Sequence, residues 1–377
     1  AALNFLAEGK DLELVSLADV FEDKVTDCPR KKKKKKVEVP ENNCFWGFDA
    51  YKKLLEVDLD VVLLATPPHF RPEHLDAAVQ AKKDIFMEKP AAVDPVGARQ
   101  IIATSKKAEE MGLTIITGTQ RRHQRDYIET YRQVASGAIG EITSAKAWWL
   151  QSHVWFRTRE EGWSDMEYML RNWNNFCWLC GDHILDTHVH NIDIVNWFLG
   201  KHPESAIGFG GRVRRLTGDQ YDFFSVDFDF GNGVASHSMS RQIDGCANTL
   251  GEQVVGTEGY TNCKNTIYNP DGSVKWKYDY PKNRDGKSTG IVKVSPYVQE
   301  HIHLVTAIRT NKPVVEAERT AISTLTAIMG RTAAYTGKKV TWEEMLSSTT
   351  KLGPEKYEMG PVEMDFPVPL PGTQHKT

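Results

Sequence analysis

A lysine, a histidine and nearby carboxylates are the residues of this sequence most able to do chemistry. Lys89 follows the apolar run Asp84 to Met87, which predicts a short strand with the lysine at its carboxyl end. Open α/β sheets bind their ligands at that end of the strands. Further along the chain, Asp186 precedes His190 by four residues, and a lysine, a histidine and a carboxylate are the groups of a proton relay.

The segment 181–193 predicts the start of a helix that continues to a stop at Gly200. The spacing would place Asp186, His190 and Asp193 on one face of that helix. Each residue alone also has an ordinary explanation, because an isolated lysine is usually solvated and a histidine on an amphipathic helix is usually structural. The two segments therefore carry weight only in combination.

That combination resembles the Gfo/Idh/MocA oxidoreductase family. The resemblance rests on Glu88-Lys89-Pro90 after a strand, followed by Asp-x-x-x-His-x-x-Asp at the start of a helix. It extends to the step Gly137-x-x-Gly140-Glu141 and to Gly-Lys-Lys-Val at 337–340 with Trp342. The resemblance implies an α/β Rossmann-type domain with a parallel sheet, followed by an α+β domain with a large, mostly antiparallel open sheet.

Composition is consistent with two domains and excludes several function classes. The chain has 377 residues, 40% of them hydrophobic and 26% charged, which is ordinary for a globular protein with full cores. A net charge of -3 predicts neither a nucleic-acid partner nor a membrane surface. No apolar run approaches the roughly 20 residues needed to cross a bilayer. We expect the division 1–122 for the NAD-binding domain, 123–346 for the substrate and oligomerisation domain, and 347–377 for an extended tail.

The first domain supplies the expected cofactor site. Leu12 to Asp19 predicts a strand that ends in an acid, and Asp19 would accept a hydrogen bond from the adenosine 2′-hydroxyl, which favours NAD over NADP. The glycine-rich fingerprint of such folds does not occur before it. We expect that a first strand and its turn precede Ala1 in the native chain; the alternative is a fold that has lost its first βα unit. If a signal segment is also missing, the compartment is the periplasm, and otherwise the cytoplasm.

Other cofactor contacts are expected at the following strand ends. The apolar run Val61 to Ala65 predicts a parallel strand covered on both faces, and the loop after it resembles the family's loop beneath the cofactor. The resemblance also makes the Lys89-Pro90 bond a candidate for the cis isomer. Arg121, at the expected hinge, could reach cofactor or substrate, although a solvated hinge charge is the alternative. The cofactor-binding residues expected in all are Asp19, Thr66, Pro67, His69, Glu88, Lys89 and Arg121.

From Glu141 onward the hydrophobic pattern alternates, which predicts antiparallel strands with one covered face. The segments 143–148, 225–230 and 234–239 follow this pattern, and Gly231-Asn232-Gly233 supplies a hairpin turn between the last two. In the family that the chain resembles, the open sheet face pairs subunits. We therefore expect a homodimer or homotetramer.

The segment 151–175 predicts a long loop that binds carbohydrate. It is rich in tryptophan, arginine and asparagine, and such side chains stack on the apolar face of a sugar and bond its hydroxyls. Where most members of the family have glycine, this chain has His188, which favours a substrate-specific histidine. A metal is less favoured, because residues 188 and 190 point in nearly opposite directions on a helix. The substrate contacts expected are Trp155, Arg157, Tyr168, Trp173, His183 and His188.

These assignments predict the oxidation of a secondary alcohol. His190 would remove the hydroxyl proton, Lys89 would stabilise the developing alkoxide, and the two could exchange roles. Asp186 would bind a second hydroxyl or orient the base, while Asp193 would fix the helix or the His190 ring from behind.

Three functions stay open on the sequence alone. The first is an NAD-dependent dehydrogenase of a sugar, cyclitol or glycoside. The second is a glycosidase that oxidises its substrate transiently with tightly held NAD, and the third is a sugar-binding protein without activity.

We expect the cysteines, which include the pair Cys177 and Cys180, to be buried free thiols. The run Lys31 to Lys36 predicts an exposed loop, and we assign it no function.

Overall fold

The protein is described here by a computed structural model that covers residues 11–27, 39–280, 294–362 and 367–372. The opening segment Ala1 to Leu6 and the run Lys31 to Lys36 lie outside the described residues. Among the described helices none is long and apolar enough to cross a membrane.

The first domain alternates strands and helices. Its elements are β1 (Leu17–Asp19), α1 (Glu22–Asp27), β2 (Cys44–Trp46), α2 (Ala50–Glu56), β3 (Val61–Leu64), α3 (Arg71–Gln80), β4 (Asp84–Met87), α4 (Pro95–Glu110) and β5 (Ile115–Thr117). Strands β3, β4 and β5 form a parallel sheet in that order, and β1 pairs in parallel with β2. The expected Rossmann-type architecture is confirmed.

Local sequence explains these elements. Strand β3 consists of four consecutive aliphatic residues because helices cover both faces of a parallel sheet. Helix α4 begins where the Asp94 side chain accepts a hydrogen bond from the Gly97 amide at 2.7 Å. The strand predicted from Leu12 is shorter than expected, since only its last three residues pair with β2.

The second domain is built on one large sheet. Its elements are α5 (Arg125–Ala135), β6 (Ile142–Gln151), α6 (Asp165–Arg171), α7 (Cys177–Cys180), α8 (His183–Asp186), α9 (Val189–Leu199), β7 (Ser205–Gly211), β8 (Phe223–Asp229), β9 (Ala235–Gln242), β10 (Thr249–Gly256), β11 (Gly259–Thr261), β12 (Thr266–Tyr268) and β13 (Val274–Lys277). The chain ends with α10 (Pro296–Arg309), α11 (Ala317–Thr336), β14 (Val340–Thr341) and α12 (Trp342–Ser347).

Nine strands lie in the order β13-β12-β11-β10-β6-β9-β8-β7-β14, and only β6 and β9 pair in parallel. The mostly antiparallel sheet is therefore confirmed, as is the turn at Gly231 to Gly233 between β8 and β9. Helices α9 and α11 cover one face and form the main core with it. The open face exposes large apolar side chains, among them Ile207 and Phe209 of β7.

The carboxyl-terminal part of the chain returns to the first domain. Helix α10 packs on β4 and β5, and α11 spans from α4 of the first domain to β7 of the second. Its start is tied to β5, because the Thr117 amide donates to the Glu316 carboxylate at 3.0 Å. The two domains are therefore joined by α11 as well as by the hinge at 118–124.

Candidate active site

Lys89 and Asp186 meet where the two domains face each other. Lys89 lies just after the end of β4, and the Lys89-Pro90 bond that follows it is cis, as predicted. The Lys89 ammonium group donates to the Asp186 carbonyl. The same ammonium nitrogen lies 3.7 Å from the Asp186 carboxylate. Both side chains keep some access to solvent, with 17% and 20% of their surface exposed. The structure thus brings together two of the three residues predicted to be catalytic.

The predicted continuous helix from Asp186 to Gly200 is wrong. Helix α8 ends at Asp186, and α9 begins only at Val189. The regular helical bonding stops between them, where the amides of Thr187 and His188 both donate to the His183 carbonyl. This break leaves the Asp186 carbonyl available to Lys89, which an unbroken helix would have used internally.

His190 lies at the start of α9 with its ring stacked on Trp149. The ring centroids are 5.9 Å apart and the planes differ by 28°. Burial, together with the positive charges of Lys89 and Arg121, holds the pKa of His190 well below its usual 6.5. The imidazole is therefore neutral near pH 7 and able to accept a proton.

Asp193 anchors α9. It accepts hydrogen bonds from the Arg122 guanidinium at 2.7 and 2.9 Å and from the Ser323 hydroxyl at 2.7 Å. These contacts tie α9 to the hinge and to α11. Of the two roles predicted for Asp193, the geometry agrees with fixing the helix.

Arg121 is neither solvated nor directed at the strand ends of the first domain. Its guanidinium forms a buried ion pair with Glu252 of β10, which also accepts from the Tyr127 hydroxyl at 3.3 Å. The guanidinium carbon lies 5.4 Å from the Trp149 ring centre. Arg121 therefore braces the ring on which His190 stacks.

His183 and His188 are buried, and side chains of the sheet bind both of them. The His183 ring contacts the Asp182 carboxylate at 3.0 Å through Nδ1 and the Ser240 hydroxyl at 3.0 Å through Nε2. His188 contacts the Ser238 hydroxyl at 2.7 Å through Nε2. Among the ring nitrogens of these two histidines, only His188 Nδ1 is buried without a hydrogen-bond partner among the described residues. Of the two, only His188 has a free ring nitrogen, whereas both nitrogens of His183 are used.

Asp19, Thr66 and Pro67 line one cavity of about 460 Å³ in the first domain. Asp19 closes β1, and Thr66 and Pro67 follow β3, so the three lie at carboxyl ends of strands as a dinucleotide requires. Asp19 Oδ1 accepts from the Phe21 amide at 2.9 Å, and burial raises the pKa of its carboxyl. The described residues thus fit a dinucleotide at its ribose and base end, although the glycine-rich turn for the pyrophosphate is not among them.

His69 lies away from this cavity. Its Nε2 atom contacts the Tyr357 hydroxyl at 2.7 Å, and its ring packs edge-on against Trp178. Burial lowers the pKa of His69 to about 4. The segment after α12 therefore covers His69, which was predicted to contact the cofactor.

Glu88 is confined by the strand beside it. Gly118, which follows β5 in the chain, lies so close to Glu88 that a Cβ atom on Gly118 would collide with the Glu88 carboxylate. The Lys89 amide donates to the same carboxylate at 3.3 Å. Glu88 is thereby held next to Lys89 at the strand end.

The aromatic loop divides between two environments. Trp155, Arg157 and Trp173 line the same cavity as Asp19. Tyr168 instead packs on Phe176, with ring centroids 5.7 Å apart, and is not part of the cavity wall among the described residues.

Sequence reasoning missed two residues of the site. Trp149 was not singled out, although the alternation Ala145, Ala147, Trp149 places it on the covered face of β6. Arg71, at the start of α3, is buried and donates to the Pro90 carbonyl beside Lys89. Its position just after the loop at the end of β3 was the available signal.

Within the described parts of the chain, no three histidine, cysteine or acidic side chains are grouped so that they could hold a metal ion. Cys177, Cys180 and Cys263 are buried free thiols, Cys44 is half-buried and Cys246 is exposed. The expectation of buried thiols is wrong for Cys246, and Cys28 lies outside the described residues.

Comparison with known proteins agrees with the fold. Residues 1–117 match the profile of an oxidoreductase family with an NAD-binding Rossmann fold, and residues 127–261 match the GFO/IDH/MocA C-terminal domain. The chain belongs to the Gfo/Idh/MocA oxidoreductase family. The expected family membership is therefore confirmed.

Individual members of the Gfo/Idh/MocA family are distant from this chain. It is 25% identical over 217 residues to scyllo-inositol 2-dehydrogenase (NAD(+)) of Bacillus subtilis, covering 57% of this chain and 58% of the relative. It is 26% identical over 178 residues to 2,7-anhydro-N-acetylneuraminate hydratase of Escherichia coli, covering 46% of this chain and 44% of the relative. The matches thus span only about half the length of these relatives.

A solved Gfo/Idh/MocA structure shares the whole fold. The scyllo-inositol dehydrogenase of Lactobacillus casei, with bound NAD(H) and scyllo-inositol, superposes with a TM-score of 0.64 at 17% identity. The superposition covers 90% of this chain and 95% of that one. At this identity the likeness establishes the fold alone.

Proposed function

We propose that this protein is an NAD-dependent dehydrogenase that oxidises a secondary hydroxyl of a sugar, cyclitol or glycoside. The observation that carries the proposal is the contact of Lys89 with Asp186 beside the carboxyl end of β4, with His190 near enough for the Lys89 charge to lower the pKa of its ring. Membership of an NAD-binding oxidoreductase family supports the cofactor. A relative named scyllo-inositol 2-dehydrogenase supports the substrate class.

The chain's own residues have distinct roles in this proposal. The dinucleotide, when bound, accepts a hydride from the substrate carbon. His190 is neutral and takes the hydroxyl proton on an imidazole nitrogen. The Lys89 ammonium stabilises the negative charge that develops on the oxygen, and Asp186 holds Lys89 and binds a neighbouring hydroxyl. Asp19 at the end of β1 favours NAD, because its carboxylate would repel a 2′-phosphate.

The test is NADH formation at 340 nm from the full-length protein with excess NAD or NADP and a panel of sugars, cyclitols and glycosides. Stoichiometric NADH with one substrate class is the expected result, with NAD preferred to NADP. Absence of NADH with every substrate, in a protein that binds NAD, would contradict the dehydrogenase.

Lys89→Ala should strongly slow hydride transfer, because the developing alkoxide loses its cation, while NADH affinity stays within about twofold. Removal of a single stabilising group of this kind typically costs about 10²–10³ in kcat. Stopped-flow hydride transfer and NADH titration would measure the two effects separately. Lys107→Ala, which removes an exposed lysine from α4, is the control and should leave both quantities unchanged. Equal loss of binding and transfer in Lys89→Ala would contradict the assignment.

A relative named as a hydratase favours a second candidate, in which NAD oxidises the substrate transiently and is regenerated. Such a reaction releases product from a glycoside or anhydro sugar without net NADH. The same assay, with product followed by chromatography, distinguishes the two.

The open sheet supports a proposed homodimer or homotetramer. Phe209 and Ile207 are 64% and 56% exposed on it, and apolar side chains of this size commonly mark contacts between subunits. Sedimentation of the protein would give the number of subunits.

A further inference from the structure

The cavity beside Asp19 has a roof that comes from the other domain. Its floor is formed by the first domain, where Asp19 closes β1 and Thr66 follows β3. The side chains facing them across about 460 Å³ belong to the loop 152–175 and include Trp155 and Trp173. Lys89, Asp186 and His190 are not among the described residues of its wall.

The chemistry of this wall suits an adenosine better than a reacting sugar. A carboxylate at a strand end can bond a ribose diol, and apolar side chains around Pro67 and Phe70 suit a flat base. Trp155 and Trp173 are half-buried, with ring centroids 6.1 Å apart and planes at 71°. Two indoles at such an angle can contact one planar ring by its face and by its edge.

The indoles are held in place before any ligand arrives. The Trp155 carbonyl accepts from the Asn175 side chain at 3.1 Å, and Asn175 in turn accepts from Arg215 at 3.1 Å. Arg215 is buried and also donates to Gln242 of β9 at 2.8 Å. The loop is thereby fixed to the sheet of the second domain, so little ordering is needed on binding.

An ion pair fastens the same loop to the first domain. Arg171, the last residue of α6, contacts the Asp23 carboxylate of α1 at 2.9 Å. Its guanidinium carbon also lies 3.8 Å from the Phe21 ring centre. Phe21 and Arg171 both line the cavity, so the fastening lies at the cavity itself.

We propose that Trp155 and Trp173 form a clamp through which the second domain holds the adenine of the dinucleotide. The clamp rests on the proposed NAD-dependent function. It assigns these two tryptophans to the cofactor and not to the substrate, for which they were expected from composition. A dinucleotide held by both domains leaves only when the loop separates from the first domain, so the clamp makes NAD a slowly exchanging cofactor.

The test uses ADP-ribose, which carries the adenine and both ribose groups but no nicotinamide, and the full-length protein. Trp155→Ala and Trp173→Ala should each weaken ADP-ribose binding about tenfold by calorimetry, because each removes a ring contact with the base. Trp155→Phe should bind nearly as wild type. Phe156→Ala removes an exposed neighbouring ring of the same loop that is outside the described cavity wall, and should change nothing.

A second measurement needs no variant. Hydroxyl-radical footprinting of the wild-type protein should show that ADP-ribose protects Trp155 and Trp173 and leaves Phe156 reactive. Wild-type affinity in both alanine variants, or no protection of either tryptophan, would overturn the clamp. If the protein binds ADP-ribose through these rings but oxidises no sugar, the proposed dehydrogenase fails and the clamp stands.

Discussion

At the scale of single residues, the environment of His190 decides what it can do. Its ring is 8% exposed and stacked on Trp149, and the charges of Lys89 and Arg121 disfavour a further positive charge. A base in such a place stays unprotonated well below pH 6.5. In the proposed reaction, His190 would therefore be unprotonated and available as the base throughout the neutral pH range.

This electrostatic coupling predicts a titration that depends on Lys89. In wild type, ¹⁵N NMR of the His190 ring should show neutral imidazole at pH 6. In Lys89→Met the pKa should rise toward 6.5, because the positive charge is removed while burial remains. An unchanged His190 pKa in Lys89→Met would contradict the coupling.

At the scale of elements, the loop 152–175 and helix α6 join the two domains over the cavity beside Asp19. The segment after α12 lies over the same region, since the Met166 amide donates to the Gly360 carbonyl at 3.1 Å and the Val362 amide donates to Asp165 at 3.3 Å. The loop is therefore held from three directions, by the sheet, by α1 and by the chain that follows α12.

Arg171→Ala should increase the dissociation rate of NADH roughly fivefold, because the partly exposed ion pair and the cation–π contact are each worth at most about 1 kcal/mol. Stopped-flow displacement of NADH by excess ADP-ribose would measure the rate. Arg159→Ala is the matched control, since Arg159 pairs with Asp165 inside the same loop without touching the first domain. Equal rates in the two variants would show that the ion pair to Asp23 does not restrain the cofactor.

At the scale of the whole molecule, many buried ionisable groups are neutral when folded. Burial lowers the pKa of four histidines to about 4, namely His69, His74, His301 and His303. Burial lowers the pKa of His188 to about 3, and the pKa of His190 also lies well below its usual value. Burial also raises the pKa of Glu300 to about 9 and that of Asp219 to about 7. These shifts act on stability in opposite directions as the pH changes.

The free energy of unfolding should therefore be greatest near pH 6.5 to 7. Below pH 6.5 the unfolded chain binds protons on histidines that the folded protein leaves neutral, so stability is lost as the pH falls toward 4. The carboxyls stay protonated in the folded protein but ionise in the unfolded chain above about 4.5, so their contribution is lost as the pH rises, for Glu300 up to about 9. Urea unfolding between pH 5 and pH 9 would measure both limbs.

Glu300→Gln isolates the alkaline limb. The glutamine side chain cannot ionise. The decline in the free energy of unfolding between pH 7 and pH 9 should therefore be smaller in the variant by up to about 1.4 kcal/mol per pH unit. Glu343→Gln, which changes an exposed carboxyl on α12, should leave the slope unchanged. A decline of the same slope in Glu300→Gln would contradict a neutral buried Glu300.

Much of this protein follows from local sequence. Aliphatic runs such as Val61 to Leu64 predict buried parallel strands, because a strand covered on both faces is apolar at every position. The alternation from Glu141 predicts the second sheet, because a strand covered on one face is apolar at every second position. The position of Lys89 at a strand end also follows from the sequence, because Lys89 comes just after the apolar run that ends at Met87. The spacing of Asp186 and His190 likewise marked their segment as a candidate site. Family membership was predictable from these residues for the same reason.

Tertiary structure alone decided where several of these side chains point. At the break before α9, Lys89 contacts Asp186 and His188 contacts Ser238, and both contacts join residues far apart in the chain. Burial of Arg121 requires Glu252, 131 positions away. The aromatic loop had the composition of a sugar site, but composition cannot say which cavity a loop covers. That depends on Arg171 reaching Asp23 in the other domain, a contact that only the assembled fold can make.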